Sequence, residues 1–120
     1  MPGSELVISQ IEGVTMVDIQ TGSLLEGGTV EYIARELYAL ADKQAKRKIV
    51  IDFQKVRFLS STMLGVLVSL QKRLRAIKGN LVIVGLRPEL RKIFHIMRLD
   101  KILAFADDEQ QAITKLATMK

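Results

Sequence analysis

The sequence predicts an α/β fold in which a mixed sheet, an N-terminal hairpin continued by parallel strands, carries about four helices. Three observations lead there. The opening stretch LVISQIEGVTMVDIQ alternates apolar and polar residues on both sides of Glu12-Gly13. Two short runs, KIVIDF at 48–53 and LVIVGL at 81–86, are apolar on consecutive positions. After each of these segments, apolar residues recur at helical spacing.

Period-two patterning around a glycine turn reads as a β-hairpin with strands near 5–11 and 14–19. TGSLLEGG follows as a loop. Thr29 then caps a helix, TVEYIARELYALADKQ, with Val30, Ile33, Leu37 and Leu40 on one stripe, and AKRK closes it with positive charge at its negative dipole end. KIVIDF suits a central strand buried on both faces. After FLSST a helix runs from about Thr62 to Lys78, its stripe formed by Met63, Leu67, Leu70, Leu74 and Ile77. Gly79-Asn80 supplies the left-handed backbone that ends it. LVIVGL is a second buried strand, and Pro88 opens PELRKIFHIMRL as a helix. ILAF reads as a short edge strand, and Asp107, Asp108 and Glu109 start the last helix, DDEQQAITKLATM. No repeat, low-complexity segment or linker interrupts this order, so the expectation is one domain over residues 1–120.

Composition narrows function. There is no cysteine, which excludes disulfides, thiolate metal sites and thiol nucleophiles and suits a reducing cytoplasm. No secretory signal is visible at the amino terminus, and the apolar runs fall far short of the ~18 residues of a spanning helix, so a cytoplasmic protein is expected. The net charge of +5 allows nucleic acid or an anionic surface as a partner through Lys72, Arg73, Arg75 and Lys78. With few aromatics between them, a solvated helical face is the plainer reading.

Catalytic signatures are missing. The motifs GxSxG, GxGxxG and GxxxxGK with Ser or Thr are all absent. His95 is the only histidine and reads as a partly packed structural residue. Asp52, between Ile51 and Phe53, reads as a hydrogen-bonding group at a strand end. The expectation is a binding module rather than an enzyme, with no metal and no cofactor.

Three consecutive hydroxyls, Ser60, Ser61 and Thr62, stand where a central strand gives way to a helix. In a parallel sheet that junction lies at the carboxyl end of the strands, where loops gather to form sites. One hydroxyl suffices as an N-cap, worth ~1 kcal/mol. A second is free for covalent modification. A phosphate there would carry about −1.5 to −2 charges and meet the positive end of the helix, while a protein docked on the same surface would face a new dianion. Thr62, Val66, Ser69 and Arg73 form a stripe suited to docking, or else a partly covered helix edge.

These residues resemble the STAS domain, shared by sulfate transporters and bacterial anti-sigma factor antagonists. The resemblance is sharpest over VIDFQKVRFLSSTMLGVLVSLQKRLRAIKGNLVIVGLRPELRKIFHIMRLDKIL. There a buried strand, an Asp-Ser-Ser/Thr-Gly-Leu-Gly junction, a helix, a strand ending in Gly-Leu-x-Pro and a further helix follow in the family's order. Ser60 stands where the family usually has Asp, Met63 where it has the first Gly, and Leu25, followed by Glu26, about where many antagonists carry an acidic residue. The stand-alone length favours the antagonist branch.

That resemblance implies a STAS-like mixed sheet and a partner-switching role in transcription regulation. The unphosphorylated chain would bind an anti-sigma factor serine kinase, and phosphorylation at Ser61 would release it. A PP2C-type phosphatase would then restore binding. Ser60, Thr62, Met63, Val66 and Ser69 would contact the partner; the kinase brings ATP and magnesium, and the chain itself needs no cofactor. The alternative is a STAS subunit that docks to a membrane transport complex without phosphorylation. A homodimer is left open.

Overall fold

The computed structural model describes residues 5–25 and 27–119. The elements are β1 (Leu6–Ile11), β2 (Val14–Ile19), β3 (Ser23–Leu24), α1 (Gly27–Asp42), β4 (Lys48–Asp52), β5 (Phe58–Leu59), α2 (Ser61–Ala76), β6 (Asn80–Val84), α3 (Pro88–Ile96), β7 (Ala104–Ala106) and α4 (Glu109–Thr118), with a 3₁₀ turn at Leu99–Lys101 before β7. The main sheet has the order β1-β2-β4-β6-β7, antiparallel between β1 and β2 and parallel elsewhere. This is the expected mixed sheet with four helices.

The hairpin forms because Glu12 and Gly13 both take positive φ, 53° and 80°, the two-residue turn whose twist matches antiparallel strands. β4 occupies the middle of the sheet. Its consecutive apolar residues divide between two cores: Ile49 and Ile51 face a large one, Val50 a smaller one beneath α4. β6 divides likewise, with Leu81 and Ile83 on one side and Val82 and Val84 on the other. The anticipated stripes of α1 and α2 are buried, except that Ile77 is half-buried.

Local readings are corrected at several ends. α1 starts at Gly27, two residues before Thr29, because neither Gly27 nor Gly28 takes a positive φ and both continue the helix. AKRK does not close α1. Asp42 ends the helix, Ala45 turns left-handed (φ 52°), Lys46 N–H caps the Leu40 carbonyl at 2.9 Å, and Lys48 already belongs to β4. At the end of α2 the left-handed residue is Lys78 (φ 62°). Gly79 is required for another reason: a Cβ there would lie 2.5 Å from the Arg47 carbonyl oxygen. α3 stops at Ile96, since Arg98 turns left-handed (φ 60°) before the 3₁₀ turn. The edge strand anticipated at ILAF begins later, at Ala104. His95 is exposed rather than packed, and its Nδ1 lies 2.7 Å from Asp100 Oδ2.

One unforeseen feature bears on the site. β3 and β5 pair in parallel as a separate two-residue ribbon, fastened by Arg57 and Phe58 N–H groups donating to the Gly22 carbonyl at 2.7 and 3.1 Å. The ribbon delivers the chain directly into the start of α2.

Candidate functional site

Ser60 leaves β5 with extended backbone (φ −85°, ψ 160°), donates its N–H to the Leu24 carbonyl at 3.1 Å, and accepts from Met63 N–H through Oγ at 3.2 Å. Ser60 is therefore the N-cap of α2. Ser61 is the first residue of α2, exposed, and outside the cap. Thr62 is exposed beside it. Two of the three hydroxyls are thus open to visiting molecules, and the third satisfies the backbone.

The remaining candidates divide. Met63 is 0% exposed and Val66 7%, and both belong to the large core, so the structure removes them from the docking face. Met63 follows the stripe of Leu67 and Leu70 inward. Val66 is covered because its stripe faces α1: Arg73 on that stripe forms an ion pair with Asp42 of α1 and sits 3.9 Å above the Tyr38 ring. Ser69 is half-buried and its Oγ accepts from Arg73 Nε at 3.4 Å.

The open face of α2 lies one position round the helix. Ser61, Gly65, Val68 and Lys72 recur at i, i+4, i+7 and i+11, and together with Leu64, Ser69, Met97 and Leu99 they line a groove of about 400 Å³ running from the helix start toward the loop after α3. Across the ribbon, Phe58 is 58% exposed and Leu25 52%. Phe58, Gly65, Val68, Met97 and Leu99 were missed by sequence reasoning, and Lys72 was read only as part of a basic helical face. Phe58 stands in a two-residue strand, too short for its pattern to say whether Phe58 or Leu59 points outward. Glu26 lies outside the described residues.

On the opposite face of the sheet, Glu109 at the start of α4 has its carboxyl raised by partial burial and then by the neighbouring Asp52, with Asp18 and Asp108 adding to it. Asp52 accepts from Gln54 N–H at 2.8 Å, the strand-end role anticipated for it. Asp100 is held below the ordinary carboxylate range, first by its hydrogen bond with His95. Among the described residues no cluster of His, Cys, Asp and Glu is arranged to hold a metal ion, and no helix is long and apolar enough to cross a membrane.

A family model, the STAS domain, matches residues 5–112. The chain belongs to the STAS domain family. A curated STAS relative is BtrV of Bordetella bronchiseptica, named as a candidate anti-sigma factor antagonist; it is 28% identical over 114 residues, covering 95% of this chain and 96% of that protein. Among solved structures, an anti-sigma-factor antagonist (STAS) domain protein from Planctomyces limnophilus superposes with a TM-score of 0.81 at 21% identity, over 92% of this chain and 96% of its own. The Bacillus cell fate determinant SpoIIAA in its phosphorylated form superposes with a TM-score of 0.71 at 21% identity, over 92% of this chain and 97% of its own. At these identities the two structural likenesses are likenesses of fold.

Proposed function

We propose that this STAS domain is an anti-sigma factor antagonist: it binds an anti-sigma factor serine kinase when unphosphorylated and is released when Ser61 is phosphorylated. The observation that carries the reading is the division of labour at the start of α2. Ser60 holds the helix N-terminus, which leaves the exposed Ser61 hydroxyl free to accept a phosphoryl group from the kinase's ATP. The added dianion would sit at the positive end of a 16-residue helix, where the fold accommodates it. A partner seated over the groove and Phe58 would face that charge across apolar surface and lose affinity. A PP2C-type phosphatase would reset the switch. The likeness to BtrV, named as a candidate anti-sigma factor antagonist, and to SpoIIAA, solved in a phosphorylated form, supports this assignment.

Partner contacts on this reading are Ser60, Ser61, Thr62 and Ser69, with Phe58, Val68, Lys72 and Met97 added by the geometry. Ser61→Asp is expected to abolish binding to the cognate kinase, measured by calorimetry, while the melting temperature stays within a few degrees of wild type. Ser61→Ala is expected to bind but to incorporate no phosphate, read by mass spectrometry after incubation with kinase and ATP. Undiminished binding by Ser61→Asp would overturn the switch. A wild-type chain that takes up no phosphate would indicate constitutive docking, as in a subunit of a transport complex.

A further inference from the structure

The two edges of the main sheet are treated differently. β7 is three residues long, Lys115 Nζ donates to its Phe105 carbonyl at 2.9 Å, and the Arg91 guanidinium lies 3.9 Å above the Phe105 ring. Those are the devices by which edges avoid pairing. β1 has none of them. Its six residues, LVISQI, carry no charge and no proline in a chain of 18 basic and 13 acidic residues. Val7, Ile8 and Ile11 are 53%, 40% and 41% exposed, so apolar side chains stand open on both faces of the strand.

Hydrogen-bond parity shows which backbone groups are available. Ile11 and Val14 flank a two-residue turn and exchange both bonds, so residues 11, 9 and 7 face β2. The same parity reaches Glu5, whose carbonyl accepts from Gln20 N–H at 2.8 Å. Leu6, Ile8 and Gln10 therefore direct their N–H and C=O groups outward, and among the described residues nothing covers them.

We propose that β1 pairs antiparallel with β1 of a second copy of this chain, about a two-fold axis at Ile8. In that register Ile8 meets Ile8 of the second copy and Leu6 meets Gln10, so every outward N–H and C=O of those three residues finds a partner. Glu5 falls opposite Ile11, which keeps the acidic residues at the two strand ends from facing each other. The strand itself carries no Lys or Arg, so two chains of net charge +5 can align these edges without setting strand cations opposite one another. Because the far edge is blunted, pairing closes at two copies instead of growing into a fibre. Both copies carry α1 and α2 on the same side of the joined sheet, which displays two Ser61 faces together and leaves each one open. The ribbon is about 20 Å long, with an area well below the roughly 800 Å² per partner of a stable complex, so the dimer is a weak one, half-formed on the order of 0.1 mM.

Sedimentation equilibrium of the full chain between about 10 μM and 1 mM tests this. The expected result is a rise from 13.4 kDa toward twice that mass, steeper at high salt, with Ile8→Lys remaining monomeric and retaining its circular dichroism. Since the chain has no cysteine, the register is tested separately. Ile8→Cys is expected to oxidise to a disulfide dimer, its paired Cα atoms lying about 5.5 Å apart. Gln10→Cys, with its own counterpart about 14 Å away along the strand, is expected not to. Ser61 phosphorylation is expected to proceed equally in Ile8→Lys, so failure here and failure of the switch are separate results. A wild-type chain that stays at 13.4 kDa throughout, or a dimer that survives Ile8→Lys, overturns the proposal.

Discussion

Two faces of α2 carry opposite compositions on the same 16 residues. The inward face, Met63, Leu67, Leu70 and Leu74, is 0% exposed and packs into the large core. The outward face, Ser61, Gly65, Val68 and Lys72, is small, polar or charged and borders an open groove. The difference separates what holds the helix in place from what it presents, and mutations on the two faces should part accordingly. The largest effect is expected inside. Leu67→Ala leaves a cavity beneath the helix and should cost about 2–5 kcal/mol in urea unfolding, with the remaining folded protein still able to accept phosphate at Ser61. A loss under about 1 kcal/mol would erase the contrast between the faces.

The comparison sharpens at adjacent serines. Ser60→Ala removes the acceptor for Met63 N–H and should cost about 1 kcal/mol of stability. Ser61→Ala removes nothing the cap uses and should be neutral within about 0.5 kcal/mol. The pair is checked by parallel thermal melts. Equal losses would mean that Ser61 shares the capping role, which would remove the spare hydroxyl on which the proposed switch depends.

What the sequence disclosed follows from how many residues a physical signal spans. KIVIDF and LVIVGL were legible because burial on two faces demands consecutive apolar residues. The junction at Ser60-Ser61-Thr62 was legible because a cap needs one hydroxyl and three were supplied. The β3–β5 ribbon was not, since two residues cannot show a period. Gly79 was read for its backbone freedom, yet the cause is the approach of Arg47, a contact between segments far apart in sequence. The exposed stripe of α2 lies one position round from the one that the sequence suggests, where Val66 stands between the polar Thr62 and Ser69. Only the placement of α1, with Arg73 tied to Asp42 and Tyr38, shows that this edge of the helix is covered.

Gly65 is where the two faces can be set against each other most directly. A glycine inside a helix costs roughly 0.8–1 kcal/mol relative to alanine, and a Cβ at this position would meet nothing within 4 Å, so no packing reason explains it. The groove supplies one: the bare Cα deepens its wall beside Ser61. Gly65→Ala should therefore raise stability by about 0.5–1 kcal/mol in urea unfolding while weakening the proposed kinase complex in calorimetry, because on that proposal the methyl group would occupy space given to the partner. Gains in both would place the docking surface elsewhere, toward Phe58 and the ribbon. A loss of stability would mean that the outer face of α2 is packed more closely than its open groove implies. Only opposite signs on the two measurements fit a helix that keeps a destabilising residue for the sake of what it binds.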